Sequence, residues 1–149
     1  MLVLAAVSTF GVLQRRRSGR VRVRGRDDGK RLRATELGAD LGERATLVQF
    51  SSAFCAPCRA TRRVLGEVAG LVPGVAHVEI DAEAHLDLVR RLDILKTPTV
   101  LVLDADGSIV RRATGQPRKA DVIAALGEAV WRGGPPSPPS PTGTFPRPA

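Results

Sequence analysis

The chain has 149 residues, of which 43% are hydrophobic and 3% aromatic, so it can form one domain with an aliphatic core and some accessory sequence. Its formal net charge of +8 lies entirely in residues 15–33, where ten basic residues stand against two acidic ones, and the remaining sequence is neutral. A basic arm without interleaved aromatic residues or a recognised binding motif argues against nucleic acid as a partner of the domain.

Residues 1–13 form an uncharged apolar run, and Arg15, Arg16 and Arg17 follow it closely. A membrane-spanning helix needs about 17–25 apolar residues, and a secretory signal carries its positive charge before the apolar stretch. Because positive residues mark the cytoplasmic side of a span, we expect residues 1–14 to be a membrane anchor or signal-like segment with the domain cytoplasmic. The alternatives are a cleaved or poorly ordered N-terminus, a buried helix, and a soluble cytoplasmic or extracytoplasmic protein.

Two segments that flank the central region have little apolar content. Residues 15–30 are rich in Arg and Gly, which predicts a flexible, solvated linker able to contact an anionic membrane surface. Residues 133–149 contain seven prolines, which predicts a disordered tail with polyproline-II character.

Between these segments, the spacing of apolar residues predicts alternating strands and helices. Residues 31–44 are expected to form a short strand and one or two helical turns. Strands are predicted at 46–50, 75–80, 99–103 and 109–113, helices at 59–69, 84–92 and 120–131, and a hairpin turn at 104–107.

The only two cysteines of the chain, Cys55 and Cys58, lie between the first confident strand and the helix that follows it. Two thiols separated by two residues at such a junction are typical of a redox-active dithiol. A structural zinc site needs four ligands, and only His77 and His85 remain as further soft ligands. A purely structural disulfide would close too small a loop to gain much entropy. The pattern favours thiol–disulfide exchange, with these two alternatives open.

The order of these elements and several short motifs resemble the thioredoxin family. The resemblance covers residues 46–131, or 31–132 when the preceding segment is included, and it implies an α/β thioredoxin-like fold with a central mixed β-sheet flanked by helices. It also implies a monomer that uses no cofactor beyond a redox-active Cys55–Cys58 disulfide. The motifs that carry it are Phe54-Cys55-Ala56-Pro57-Cys58, Ile80-Asp81, Thr97-Pro98-Thr99, Asp106-Gly107 and Gly115.

The resemblance assigns roles to individual residues. Cys55 would be the exposed attacking thiol, because unpaired N–H groups and the helix dipole favour its thiolate. Pro57 suits the first helical turn, where a missing N–H costs nothing. Cys58 would be buried and would resolve the mixed disulfide. Pro98 would be cis and lie beside the cysteines, and Thr97 would offer its backbone to an extended substrate peptide.

The sequence departs from the family pattern around the second cysteine. Thioredoxins usually place a buried Asp six residues before the first cysteine, and here that position is Gln49. The family's Lys on the neighbouring strand corresponds to His77. We therefore expect a Gln49/His77 pair in which His77 accepts the proton of Cys58; a hydrogen-bonded strand histidine without that role is the alternative.

Three further positions concern the substrate and the choice between reduction and oxidation of disulfides. Phe54 replaces the tryptophan usual before the first cysteine, so the substrate surface is expected to differ from that of a general thioredoxin. Ala56 and Pro57 are similar to the Gly-Pro of reducing thioredoxins. We expect a protein-disulfide reductase whose partners are disulfide-containing proteins and an electron donor that the sequence does not identify. The alternative is a membrane-tethered interaction module, or a structural cysteine pair, without turnover.

Overall fold

The computed structural model describes Asp27 and residues 29–134. These residues form four strands and four helices, which alternate up to the third strand, where the fourth strand follows directly as the predicted hairpin. The elements are α1 (Ala34–Leu37), β1 (Ala45–Ser51), α2 (Ala56–Leu71), β2 (Val75–Asp81), α3 (Leu86–Arg91), β3 (Thr99–Asp104), β4 (Ile109–Thr114) and α4 (Lys119–Arg132).

The four strands form one mixed sheet in the order β2-β1-β3-β4. Strand β1 pairs in parallel with β2 and antiparallel with β3, and β3 pairs antiparallel with β4. All seven residues of β1 are buried, because this strand is central and the sheet carries helices on both faces. The predicted α/β fold with a mixed sheet flanked by helices is confirmed.

The core consists of two aliphatic clusters, one on each face of the sheet. On one face, Val48 and Phe50 of β1 pack with residues of α1 and α3 such as Leu37 and Leu88. On the other face, the remaining apolar residues of the sheet pack with α2 and α4. That second cluster includes Leu47, Val100, Val102, Leu65, Val68, Val122 and Leu126. The alternation within each strand thus divides its side chains between two helical layers.

The observed boundaries differ from the predicted ones mainly near residue 31. The short strand predicted in residues 31–44 is a single bridge between Arg31 and Ser108. The linker predicted at 15–30 extends too far, because Asp27 is buried and ion-paired with Arg112. The backbone of Lys30 also accepts a hydrogen bond of 3.1 Å from the amide of Ile109. The packed domain therefore includes residues that composition alone assigned to solvent.

The predictions for the N-terminal anchor at 1–14, for residues 15–26 of the linker and for the tail beyond residue 134 concern segments outside the described residues. Among Asp27 and residues 29–134, no helix has the length and apolar character needed to cross a membrane.

Candidate active site

Cys55 and Cys58 form a disulfide at the N-terminus of α2, with their Cα atoms 5.2 Å apart. The two sulfurs differ in environment. Cys55 precedes the helix and is half-buried, whereas Cys58 lies in the first turn and is only 2% exposed. An incoming thiol or disulfide can therefore reach Cys55 while Cys58 stays covered.

The first turn of α2 is arranged around the sulfur of Cys55. Cys55 is the N-cap, and its Sγ accepts a hydrogen bond of 3.2 Å from the amide of Cys58. Pro57 occupies the first turn, where an N–H group would have no acceptor within the helix, so its absence costs no hydrogen bond. Free N–H groups and the positive end of the helix dipole stabilise a thiolate at this position. The geometry thus favours Cys55 as the nucleophile once the disulfide is reduced.

The peptide bond between Thr97 and Pro98 is cis, as predicted. The hydroxyls of Ser52 and Thr97 lie 2.8 Å apart, so this segment packs against the chain that leads to Cys55. The amide of Gly115 donates a hydrogen bond of 2.7 Å to the carbonyl of Pro98. The structure brings the predicted substrate-binding residues to the same end of the sheet as the disulfide.

Gln49 is completely buried beneath the start of α2. Its side-chain amide donates to the hydroxyl of Ser51 at 2.8 Å and to the backbone carbonyl of Cys58 at 2.9 Å. Its Oε1 atom is buried and has no hydrogen-bond partner. Gln49 therefore touches the residue predicted to resolve the mixed disulfide, and it keeps one unused acceptor there.

His77 lies on the same face of the sheet, in register with Leu47 and therefore diagonal to Gln49. Its Nε2 atom is buried without a hydrogen-bond partner. Burial lowers the pKa of His77; Glu79 acts in the opposite direction, and Arg62 lowers it further. No direct hydrogen bond joins His77 to Gln49 within the described part of the chain. Each residue of the predicted pair thus has one unpartnered buried atom.

Sequence reasoning missed a polar group beside this site. Both carboxylate oxygens of Glu79 bind Arg62, at 2.7 Å to Nη2 and at 2.6 Å to Nε. Burial raises the pKa of Glu79, but hydrogen bonds from Arg62 and Ser51 outweigh it and leave that pKa below its usual range. The signal was present, because Glu79 shares a strand face with His77 and Arg62 lies one helical turn beyond Cys58.

An open cleft of about 360 Å³ adjoins this polar group. It gives solvent a path toward the pair formed by Arg62 and Glu79 and to the loop that precedes Cys55. The residues that line it are Ser51, Ser52, Ala53, Arg62, Glu79 and Asp81. The described residues contain no group of three or more His, Cys, Asp or Glu side chains that could hold a metal ion.

Exposed apolar side chains flank the cysteine-bearing segment and the cis-proline segment. Phe54 directly precedes Cys55 and is fully exposed, and Leu95 in the segment before Pro98 is 88% exposed. Ala56 and Pro57 are also exposed. A large side chain without packing partners is costly in water, so its position beside the disulfide suits contact with another protein.

The fold and the disulfide together define a class of protein: a dithiol protein with a Cys-x-x-Cys pair at a helix N-terminus and a cis-proline segment at the same sheet edge. The family model for thioredoxin matches residues 32–128. The chain belongs to the thioredoxin family. It is a thiol–disulfide oxidoreductase, with disulfide-containing proteins as its general kind of partner.

Individual relatives agree with this assignment. The chain is 32% identical over 87 residues to thioredoxin of Mycolicibacterium smegmatis, an alignment that covers 56% of this chain and 77% of that protein. The crystal structure of chloroplastic thioredoxin z has 27% identity and a TM-score of 0.52, over 58% of this chain and 79% of that one. A mutant thioredoxin from Halobacterium salinarum shares the fold, with a TM-score of 0.54 and 19% identity over 59% of this chain and 76% of that one.

Proposed function

We propose that the chain reduces protein disulfides with Cys55 as nucleophile and Cys58 as resolving thiol. The observation that carries this assignment is the difference in exposure between the two cysteines, half-buried for Cys55 and 2% exposed for Cys58. The more exposed cysteine is the one that a folded substrate can contact. The covered sulfur is the one that is protected from reacting with a second external disulfide.

The reaction consists of two exchanges. The Cys55 thiolate attacks one sulfur of the substrate disulfide, that S–S bond breaks, and the departing substrate thiolate takes up a proton. The thiolate of Cys58 then attacks the sulfur of Cys55, which releases the second substrate thiol and leaves the Cys55–Cys58 disulfide. Two electrons and two protons from an external dithiol donor restore the reduced protein, so no bound cofactor is required.

Thr97 and Pro98 are proposed to bind the substrate backbone next to the disulfide. The hydrogen bond between Ser52 and Thr97 fixes this segment beside the residues that lead to Cys55. An extended peptide lying along Thr97 would present its own disulfide to the exposed sulfur. Backbone recognition of this kind leaves the side chains of the substrate to be selected by neighbouring apolar surface.

The experiment that tests the function is reduction of insulin disulfides by the purified chain with dithiothreitol as electron donor. We expect precipitation of the released insulin B chain to be faster than with dithiothreitol alone, and to occur at the uncatalysed rate with Cys55→Ser. An equal rate with and without the wild-type chain would instead favour a module that keeps the fold without turnover.

Phe54 is proposed to contact protein substrates. Phe54→Ala is expected to raise KM for insulin about threefold, because an apolar contact of aromatic size is lost, while leaving the rate with a small aromatic disulfide within a factor of about two. Steady-state kinetics with both substrates measure the difference. The matched control is Trp131→Ala, which removes another exposed aromatic from the end of α4, where Gly133 lies close to Ala105 beyond the far end of β3. A threefold change in both variants, or in neither, would contradict the assignment.

His77 is proposed to accept the proton of Cys58 through a bridging water at the unused Oε1 of Gln49. Its lowered pKa keeps the imidazole neutral at pH 7, so it is able to take up a proton. His77→Gln keeps a polar side chain that can form hydrogen bonds but removes the base. We expect this variant to resolve the mixed disulfide about tenfold more slowly at pH 7, with the midpoint of its pH–rate profile moved toward the ordinary thiol pKa of about 8.5.

Stopped-flow measurement of substrate thiol release across pH 5–9 provides the profile, and His85→Gln at the exposed histidine is the control. Stability gives a second readout. Because the pKa of His77 is lower in the folded state, the unfolded chain binds more protons below pH about 6.5, and the wild type loses stability as the pH falls through that range. His77→Gln should remove this loss. An unchanged pH–rate profile would leave His77 as a strand residue without a role in proton transfer.

Location is proposed from the sequence alone. Residues 1–14 are proposed to anchor the chain in a membrane with the domain cytoplasmic, and the basic arm at 15–26 is proposed to lie against anionic headgroups. A cytoplasmic domain suits a monomeric reductase, because the thiols of that compartment are kept reduced. Release of the full-length chain into the soluble phase by a carbonate wash would contradict the anchor.

A further inference from the structure

A buried ion pair joins two residues that are 85 positions apart in the sequence. The Arg112 guanidinium donates to both carboxylate oxygens of Asp27, from Nε at 2.8 Å and from Nη2 at 2.7 Å. Both side chains are only 7% exposed. Two parallel hydrogen bonds of this kind fix the orientation of a guanidinium, so the plane of Arg112 is set by Asp27.

The same guanidinium also binds the start of the segment 92–98, which ends in Thr97 and Pro98. Nη2 of Arg112 also donates a hydrogen bond of 2.8 Å to the backbone carbonyl of Leu92, the residue that follows α3. The ammonium of Lys30 donates to the carbonyl of Arg91 at 3.3 Å and lies 3.9 Å from the carboxylate of Asp93. Residues that precede the first helix thus contact the point where the chain leaves α3.

Hydrogen bonds from β4 and from the residue that follows it therefore bind both ends of the segment from Leu92 to Pro98. Arg112 of β4 binds the carbonyl of Leu92, and Gly115, just beyond β4, donates to the carbonyl of Pro98. Between these anchors, Asp93 has a φ of 52°, which marks a sharp change of direction. Displacement of the first anchor would be transmitted along this short segment to Thr97 and Pro98.

We propose that Asp27 and Arg112 are positioning residues that set the placement of the Thr97–Pro98 segment for substrate binding. This inference rests on the proposed role of that segment in the reductase. Asp27 lies before residues 32–128, which match the family, so this means of placing the segment depends on a residue outside the matched region. The contacts of Asp27 and Lys30 make these two residues part of the support of that segment.

The proposal predicts different effects from two ways of removing the pair. Asp27→Asn leaves the buried Arg112 charge without its counter-ion, and is expected to loosen both the fold and the hold on Leu92. The double variant Asp27→Leu with Arg112→Leu removes both charges and fills the site with apolar groups, a change that proteins often tolerate. It still lacks the donor for the Leu92 carbonyl, so the segment should be loosened in a stably folded protein.

The experiment uses the full chain and three readouts: melting temperature, kinetics with insulin and with a small aromatic disulfide, and amide hydrogen exchange of residues 92–98 in the oxidised protein. We expect the double variant to melt near the wild-type temperature, to show a threefold to fivefold higher KM for insulin, and to keep the rate with the small disulfide within a factor of two. Exchange in residues 92–98 should be at least fivefold faster.

The matched control is Glu128→Gln. It weakens the ion pair of Arg111 with Glu128, which joins β4, the strand of Arg112, to α4. It should change neither KM nor exchange in residues 92–98. Unchanged KM and exchange in the double variant would overturn the proposal and leave the pair a stabilising contact only. Because exchange is measured in the oxidised protein without substrate, failure of the reductase function itself would be seen separately, as absence of turnover in the wild type.

Discussion

Cys58→Ser is expected to leave the protein covalently attached to its substrate after a single exchange. Cys55 keeps its position at the start of α2 and still attacks, but the serine hydroxyl in the covered position cannot displace it from the mixed disulfide. When the pre-reduced variant is mixed with substrate and no dithiol is added, no second exchange should follow, and a complex held by Cys55 should accumulate in an amount equal to the enzyme. Non-reducing electrophoresis and intact mass measure the complex, and dithiothreitol should release it.

The matched variant is Cys55→Ser, which should neither turn over nor form the complex. The two serine substitutions are isosteric, and the disulfide closes a short loop that gives little entropic stability, so both proteins should fold. The contrast between them therefore reports the roles of the two sulfurs. Accumulation of the complex with Cys55→Ser rather than with Cys58→Ser would reverse the assignment of nucleophile and resolving thiol.

The parts of the fold that depend on local pattern could be predicted from the sequence. Aliphatic runs bounded by Gly, Pro and Asp located all four strands, and the Cys-x-x-Cys pair fell at a strand–helix junction because the helix N-terminus is where a thiolate is stabilised. Thr97-Pro98 was predicted to be cis from the family resemblance, and the structure agrees. The strands and the position of the cysteine pair are specified by residues within a few positions of one another.

The contacts that escaped prediction join residues with no periodic relation. Asp27 stands in a run of arginines and glycines, whose average composition is that of a solvated linker. Its burial depends on Arg112, which is 85 positions away and reaches the same side of the sheet only after β4 has paired with β3. The pairing of Glu79 with Arg62 likewise requires α2 to be packed on β2. The face of Glu79 and the helical position of Arg62 could be read from the sequence, but neither shows that the two side chains meet. Such ion pairs form only in the tertiary arrangement.

Gln49→Asp is expected to speed the second exchange at the expense of stability at high pH. An introduced carboxylate beside Cys58 can take the thiol proton, whereas the amide of Gln49 donates to the Cys58 carbonyl and the Ser51 hydroxyl and has no proton-accepting role. A positioned general base typically contributes more than about 10²-fold. Because His77 is proposed to supply part of that effect, we expect resolution to be about tenfold faster at pH 8. Stopped-flow thiol release measures it.

The stability of this variant should depend on pH in a direction fixed by burial. Position 49 is completely buried, so the introduced carboxyl should have a pKa raised above its value in the unfolded chain. A raised carboxyl pKa means that the folded protein retains its proton while the unfolded chain loses it. Stability is therefore greatest at low pH, falls as the pH rises from the unfolded-state pKa to the folded-state pKa, and is constant above that.

The matched control is Gln49→Asn, which has the size of the new side chain without its charge. Urea unfolding of the two variants from pH 4 to pH 9 isolates the contribution of the carboxyl, since any loss from the missing methylene is common to both. Faster resolution in Gln49→Asp but not in Gln49→Asn would show that the second exchange is limited by proton removal from Cys58. Equal rates in both would mean that Gln49 acts only by holding the Cys58 carbonyl, and that the proton leaves by way of His77 or the open cleft.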